Sequence, residues 1–178
     1  MRIVGIFALA IGAIVSSMAS AAPVEPRVVS CAPGPVMIGS GKPTWRRESV
    51  VAGPLGIRRH PLHDMSPYSP TKPNVLVTKA PILVDGSDPV TLRVPPALAG
   101  RVFLYYGFHQ GPAGKRSTSF YGFPGSSAIE FRPCTDKPRT VWPGGLRIKG
   151  RAPVHLDVTV EGNPTPISLP LGRPGVRP

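Results

Sequence analysis

The chain has 178 residues, with 21 lysines and arginines against 9 aspartates and glutamates, which gives a formal net charge of +12 at pH 7. This length suits one domain built around a single core. The 25 prolines and 20 glycines approach the level typical of disorder, but the apolar strand patterns described below exclude a wholly disordered chain. The basic residues are dispersed, without any block of five or six like charges.

The N-terminal residues have the three parts of a secretory signal peptide. Met1 and Arg2 form a short positive region, an apolar segment spans residues 3–15, and small residues fill 16–22. Cleavage after Ala21 fits best, so residues 1–21 are predicted to be the signal peptide. An uncleaved membrane anchor is one alternative, because the uncharged run nearly reaches the roughly 20 residues that span a bilayer. A lipoprotein is another, but the lipobox-like Cys31 lies too far beyond the apolar segment.

Export decides how the positive charge is interpreted. Inside a cell the charge would suggest nucleic acid. On a secreted or extracytoplasmic chain, with no membrane span after cleavage, we expect an anionic cell-surface polymer or an acidic protein as the partner, and no nucleic acid. A surface that merely keeps the protein soluble is the alternative.

Cys31 and Cys134 are the two cysteines of the chain. In an oxidising compartment an even number of cysteines indicates pairing, so we predict a disulfide between them. This bond would fasten the N-terminal segment to the core.

Residues 22–73 form a segment rich in proline and glycine, for which short strands and a long loop are predicted. The loop spans residues 54–73 and is predicted to be an irregular surface excursion, that is, a segment without regular strands outside the core. It carries His60, His63 and Asp64, whose side chains are of types that bind zinc or copper. These three are weak metal candidates, because such sites commonly need further ligands, and no cofactor is predicted.

Beyond residue 74, short apolar runs recur at the spacing of a β-sandwich or barrel, each bounded by turn residues. No window after the signal peptide sustains helical spacing without a proline or glycine, so almost no helix is expected beyond a turn near residues 97–99. We predict an all-β domain, an antiparallel β-sandwich of immunoglobulin-like or Greek-key type with about seven to nine strands in two sheets. Its core is residues 74–172, and 173–178 is a flexible tail. A closed barrel is the alternative. The predicted strands are 75–84, 90–94, 102–108, 120–123, 128–131, 146–148, 154–160 and 167–171.

The stretch 101–134 is unusually aromatic and has two interpretations. In the first, aromatic rings and cations form a ligand platform for sugars or anionic polymers, with Phe103, Tyr105, His109, Lys115, Arg116 and Tyr121 as its members. In the second, which we favour, the rings fill the core between two sheets, because aromatic side chains supply much of the burial that a small β domain needs.

The strand ending Phe131 to Cys134, the Trp142-Pro143-Gly144-Gly145-Leu146 run and the closing hairpin resemble uncharacterised secreted β-rich proteins of high-GC Gram-positive bacteria. The resemblance covers roughly the C-terminal half. It implies an extracytoplasmic location and no activity.

No constellation of nucleophile and base stands out, so the sequence favours a non-enzymatic module that binds anionic or glycan surface polymers. An extracellular hydrolase or metal-binding protein with a site on the 54–73 loop is one alternative. A purely structural or protein-partner domain is another.

Overall fold

The structure is a computed structural model that describes residues 24–31, 45–58, 61–62, 65–68, 71–107, 109–110, 116–117 and 125–174. The predicted signal peptide and residues 175–178 of the predicted tail lie outside these ranges.

The regular secondary structure of the described residues is almost entirely β-strand, as the sequence predicts, with one short helix α1 (Trp45–Glu48) and a 3₁₀ turn (Pro96–Leu98) close to the predicted turn. In chain order the strands are β1 (Arg27–Ser30), β2 (Ser49–Ala52), β3 (Leu55–Arg58), β4 (Ser66–Pro67), β5 (Val75–Lys79), β6 (Ile82–Asp85), β7 (Val90–Arg93), β8 (Val102–Tyr106), β9 (His109–Gln110), β10 (Arg116–Ser117), β11 (Ala128–Arg132), β12 (Arg139–Trp142), β13 (Gly144–Lys149), β14 (Val154–Val160) and β15 (Asn163–Gly172).

These strands form three sheets and one small hairpin within one all-β domain. The five-stranded sheet has the order β1-β11-β7-β14-β15, and the two four-stranded sheets have the orders β12-β6-β3-β2 and β4-β5-β13-β8. β9 and β10 form the hairpin. All of these neighbours pair antiparallel except β1, which runs parallel to β11. The structure therefore has more strands and more sheets than the predicted seven to nine strands in two sheets.

Two prolines mark points at which consecutive strands belong to different sheets, which the apolar pattern of the sequence does not indicate. The run 75–84 reads as one strand, but it breaks at Pro81 into β5 and β6, which belong to different sheets. Pro143 likewise separates β12 from β13, and these strands also lie in different sheets. A proline lacks the backbone N–H that a continuous ladder needs, so the chain leaves one sheet there and enters another.

One hydrophobic core serves all three sheets. Its aromatic part is a chain of rings, in which Tyr106 meets Phe131 edge-on at 5.6 Å between centroids and Phe131 lies 5.1 Å from Trp142. The Tyr106 hydroxyl donates a hydrogen bond of 2.9 Å to the carbonyl of Ala80. These rings therefore have the core role that the sequence favours for the aromatic stretch.

The prediction that residues 54–73 form an irregular surface excursion is wrong for their first part. Leu55 and Ile57 lie on β3, an interior strand that pairs with β2 and β6, and both are fully buried, as is Leu62. The core thus takes in side chains from 22–73 as well as from 74–172.

The predicted disulfide is confirmed. Cys31 and Cys134 are bonded, with their Cα atoms 5.1 Å apart. The bond lies directly after β1 and holds this strand on the edge of the five-stranded sheet. Val29 of β1 packs against Gly107, where a Cβ would lie only 2.8 Å from a Val29 methyl carbon, so a larger residue at position 107 would displace the strand.

Candidate functional site

The candidate site is the outer face of the sheet β4-β5-β13-β8, on strand β13. Leu146 and Ile148 point into the core and are fully buried. Because side chains alternate across a strand, Arg147 and Lys149 point the other way. We call this surface the Arg147 face and define it by Tyr68, Phe103, Tyr105, Arg147 and Lys149.

Arg147 is surrounded by three aromatic rings. Its guanidinium carbon lies 4.9 Å from the ring centroid of Phe103, 5.0 Å from that of Tyr105 and 5.8 Å from that of Tyr68. Phe103 is also 5.4 Å from the ammonium of Lys149. At these distances the ring faces attract the cations electrostatically. The rings therefore hold Arg147 in place before any ligand arrives.

The same rings offer little open surface of their own. Tyr105 is only 1% exposed and Phe103 is half-buried. Gly125 packs directly against both, because a Cβ there would lie 2.5 Å from Phe103 Cβ and 2.8 Å from the Tyr105 ring. Burial raises the pKa of Tyr105, although Arg147 opposes the shift. The phenol beside Arg147 is therefore neutral at physiological pH and supplies no counter-charge.

The Arg147 face carries positive charge without compensating acids. The four strands of its sheet contain Lys79, Arg147 and Lys149 but no aspartate or glutamate. Where the structure describes ion pairs, none includes these three cations. The other sheets differ. In the sheet β12-β6-β3-β2, Asp85 of β6 forms ion pairs with Arg46 and Arg139, each with an N···O distance of 3.2 Å.

The two cations of this face form a row with Lys79 of the neighbouring strand β5. Lys79 of β5 is paired in register with Gly145 of β13, and Arg147 and Lys149 follow at alternate positions of β13. Each step of two residues advances about 6.7 Å along the strand. The arrangement can therefore contact successive negative groups of an extended ligand.

The structure brings together part of the predicted ligand platform. Phe103 and Tyr105 lie side by side on the Arg147 face. His109 and Arg116 lie in the β9-β10 hairpin, where Arg116 pairs with Gln110 and Ser117 with His109, and only their backbone is described. Lys115 and Tyr121 lie outside the described residues.

Sequence reasoning missed three members of this face. The alternation of Arg147 and Lys149 with apolar neighbours indicates that both point outward, but it does not indicate which rings they meet. Tyr68 follows β4 in a proline-rich segment whose sequence shows no periodicity. Only the pairing of β13 with β5 and β8, and of β4 with β5, brings these residues together.

The metal candidates His60, His63 and Asp64 lie outside the described residues, so a metal site on this loop stays a prediction. Among the residues that are described, no group of three His, Cys, Asp or Glu side chains is arranged to hold a metal ion. The same part of the chain contains no helix with the length and apolar character needed to cross a membrane. No protein-family model, curated protein or solved structure matches this chain, so its function is inferred from the geometry of the Arg147 face.

Proposed function

We propose that the protein is a secreted or cell-envelope-associated, non-enzymatic module that binds an anionic surface polymer through the Arg147 face. The observation that carries this proposal is the position of Arg147, a cation held among three rings on a sheet whose strands contain no acidic residue. The signal-peptide pattern and the disulfide support an extracytoplasmic location.

Preorganisation favours binding at this face. A flexible arginine loses about 0.5–1.5 kcal/mol of rotamer freedom when a ligand immobilises it. The rings around Arg147 have already restricted its side chain, so less freedom is lost on binding. Its guanidinium also has no ion pair to give up within the described residues. Guanidinium groups bind phosphate or carboxylate through parallel N–H···O bonds, which matches an anionic ligand.

The surroundings of the face favour a polymer over a lipid surface. A membrane-binding surface needs exposed apolar side chains that enter the bilayer next to the cations. The exposed large apolar residues of the described chain are Val24, Val28 and Ile167, and none belongs to the sheet of the Arg147 face. Cations that follow one another at steps of about 6.7 Å along the strand direction instead suit repeated anionic groups along one extended chain.

The burial of the rings also favours an anionic group over stacked sugar as the main contact. Stacking needs an open ring face, and Tyr105 is almost completely covered. Its ring and that of Phe103 are already in contact with Arg147. A sugar of the polymer would therefore find no open aromatic platform at Tyr105 on which to stack.

The proposal is tested by measuring affinity for long-chain inorganic polyphosphate and for polygalacturonate, with neutral dextran as the negative control. The decisive variant is Arg147→Met, which keeps an apolar stem against the rings. Its matched control is Arg173→Met, which removes one positive charge from an exposed arginine elsewhere on the surface. Loss of a charge-assisted hydrogen bond of about 1.5–3 kcal/mol should weaken binding of at least one polymer by about tenfold or more.

The control variant should change that affinity by less than about twofold, since Arg173 follows β15 of another sheet and salt screens an isolated exposed charge. Equal losses in both variants would show that the net charge of the protein, not the Arg147 face, attracts the polymer. Absence of binding to both polymers at low salt would overturn the proposal, because electrostatic attraction is strongest there.

A further inference from the structure

A second surface lies on the outer face of the five-stranded sheet, which is a different sheet from that of the Arg147 face. It is an open groove of about 890 Å³ across β11, β7 and β14. The register places Thr91 of β7 directly between Glu130 of β11 and Thr159 of β14. Asn163 and Pro164, the first two residues of β15, also line the groove.

The charges of this groove are balanced. Arg93 and Arg132 line it together with Glu130 and Glu161. Arg132 is paired with Glu130 at 2.5 Å, and Arg93 donates a hydrogen bond of 2.7 Å to the carbonyl of Val24. The groove therefore has no net formal charge and differs from the sheet of the Arg147 face, whose strands contain cations but no acidic residue.

Its polar groups include donors and acceptors that remain available. The hydroxyls of Thr91 and Thr159 are half-buried and have no hydrogen-bond partner among the described residues. Asn163 accepts a hydrogen bond from the Thr165 N–H through its side-chain oxygen, so its NH₂ group is left to donate. Glu161 adds an exposed carboxylate acceptor.

Apolar contacts in the groove are few and small. Pro89, Val160 and Pro164 contribute them, and no aromatic side chain lines the groove. This mixture matches the surface of a sugar, which has hydroxyls around its edge and small apolar patches on its ring faces. It matches a lipid poorly, since a lipid needs a continuous apolar lining, and the carboxylates of Glu130 and Glu161 in the same groove would repel an anion.

We propose that this groove binds a neutral oligosaccharide. Its volume lies within the range of roughly 300–1,000 Å³ typical of small-molecule sites. The hydroxyls of Thr91 and Thr159 and the carboxylate of Glu161 exchange hydrogen bonds with sugar hydroxyls, which both donate and accept. Binding here is independent of the Arg147 face, because the two surfaces lie on different sheets.

The test uses the whole protein and a panel of neutral tetrasaccharides at millimolar concentration: maltotetraose, cellotetraose, xylotetraose, mannotetraose and chitotetraose. Binding is followed by the backbone amide shifts in heteronuclear NMR spectra. At least one sugar should produce saturable shifts at Thr91, Glu130 and Thr159. The same sugar should leave the amides of Arg147 and Lys149 unchanged.

Two variants decide whether the groove is responsible. Thr91→Val keeps the shape of the side chain and removes its hydroxyl, and Glu161→Gln keeps the shape and removes the charge at an exposed position. Each should weaken sugar binding about fivefold, as loss of a hydrogen bond of about 1 kcal/mol requires. Arg147→Met should bind the sugar as tightly as the natural chain while it loses affinity for polyanion.

Absence of shifts with every sugar of the panel, or unchanged affinity in both groove variants, would overturn the inference. Because Glu161 is exposed and lies outside the core, its variant stays folded even if Thr91→Val does not. Failure of sugar binding with normal polyanion binding would refute the groove alone, and the reverse result would refute the Arg147 face alone.

Discussion

Removal of the Cys31–Cys134 disulfide should cost a large part of the stability of this protein. The bond joins residues 103 positions apart. On the chain-entropy account, a loop of about 100 residues contributes about 4.7 kcal/mol by restricting the unfolded chain. A domain of this size is typically stable by only about 5–15 kcal/mol. Strand β1 depends on the bond in particular, because among the described strands its one neighbour is β11.

The assays are urea denaturation and thermal unfolding of the natural chain and of the double variant Cys31→Ala with Cys134→Ala, which keeps position 134 apolar. We expect the free energy of unfolding to fall by about 3–5 kcal/mol and the melting temperature by about 10 °C or more. A thiol reductant should reproduce the loss in the natural chain and leave the double variant unaffected. A loss below about 1 kcal/mol would refute the reasoning, because the bond would then constrain the unfolded chain far less than its span requires.

Three further predictions test the core. Ile57→Ala should lower the free energy of unfolding by about 2–5 kcal/mol because the side chain is fully buried. As the control, Arg58→Ala at the exposed neighbouring position should change this free energy by less than about 0.5 kcal/mol. Equal effects of the two variants would place β3 at the surface. Tyr106→Phe should lower the free energy of unfolding by about 1–3 kcal/mol, since it leaves the buried carbonyl of Ala80 without its hydrogen bond. An unchanged midpoint of urea denaturation would contradict that bond. Burial raises the pKa values of Tyr105 and Tyr106 in the folded state, so as the pH rises the unfolded state loses these protons first. The free energy of unfolding should therefore be constant with respect to these two groups below about pH 10 and should fall as the pH rises above it. Tyrosine ionisation is measured by absorbance, and circular dichroism reports whether the protein is still folded. Ionisation of all the tyrosines near pH 10 in a protein that is still folded would contradict the burial of Tyr105 and Tyr106.

Much of the fold could be predicted from local pattern. The alternation in β7 and β14 gives both the strands and their buried faces, and Val90, Leu92, Leu156 and Val158 are fully buried. The disulfide followed from the number of cysteines and the export signal. For β7 and β14, a few neighbouring residues are enough to indicate the strand and its buried face.

The rest depended on contacts between distant parts of the chain. β3 is only four residues long, Leu-Gly-Ile-Arg, which is too short to show a period, and it is buried because β2 and β6 flank it. The division of 75–84 between two sheets also required partners that local pattern does not specify. For the same reason the outward position of Arg147 was predictable but its three aromatic neighbours were not, since Phe103 and Tyr68 lie dozens of residues away.

The most direct test of the proposed function observes the Arg147 side chain itself. In a nitrogen-15-labelled sample, the Nε–Hε signal of each arginine is followed by NMR during titration with inorganic polyphosphate. We predict that the Arg147 signal shifts and saturates with the binding curve, while the Arg173 signal stays within its starting linewidth. If Arg147 stays unchanged while polyphosphate binds and shifts other arginines, the Arg147 face is not the polyanion site.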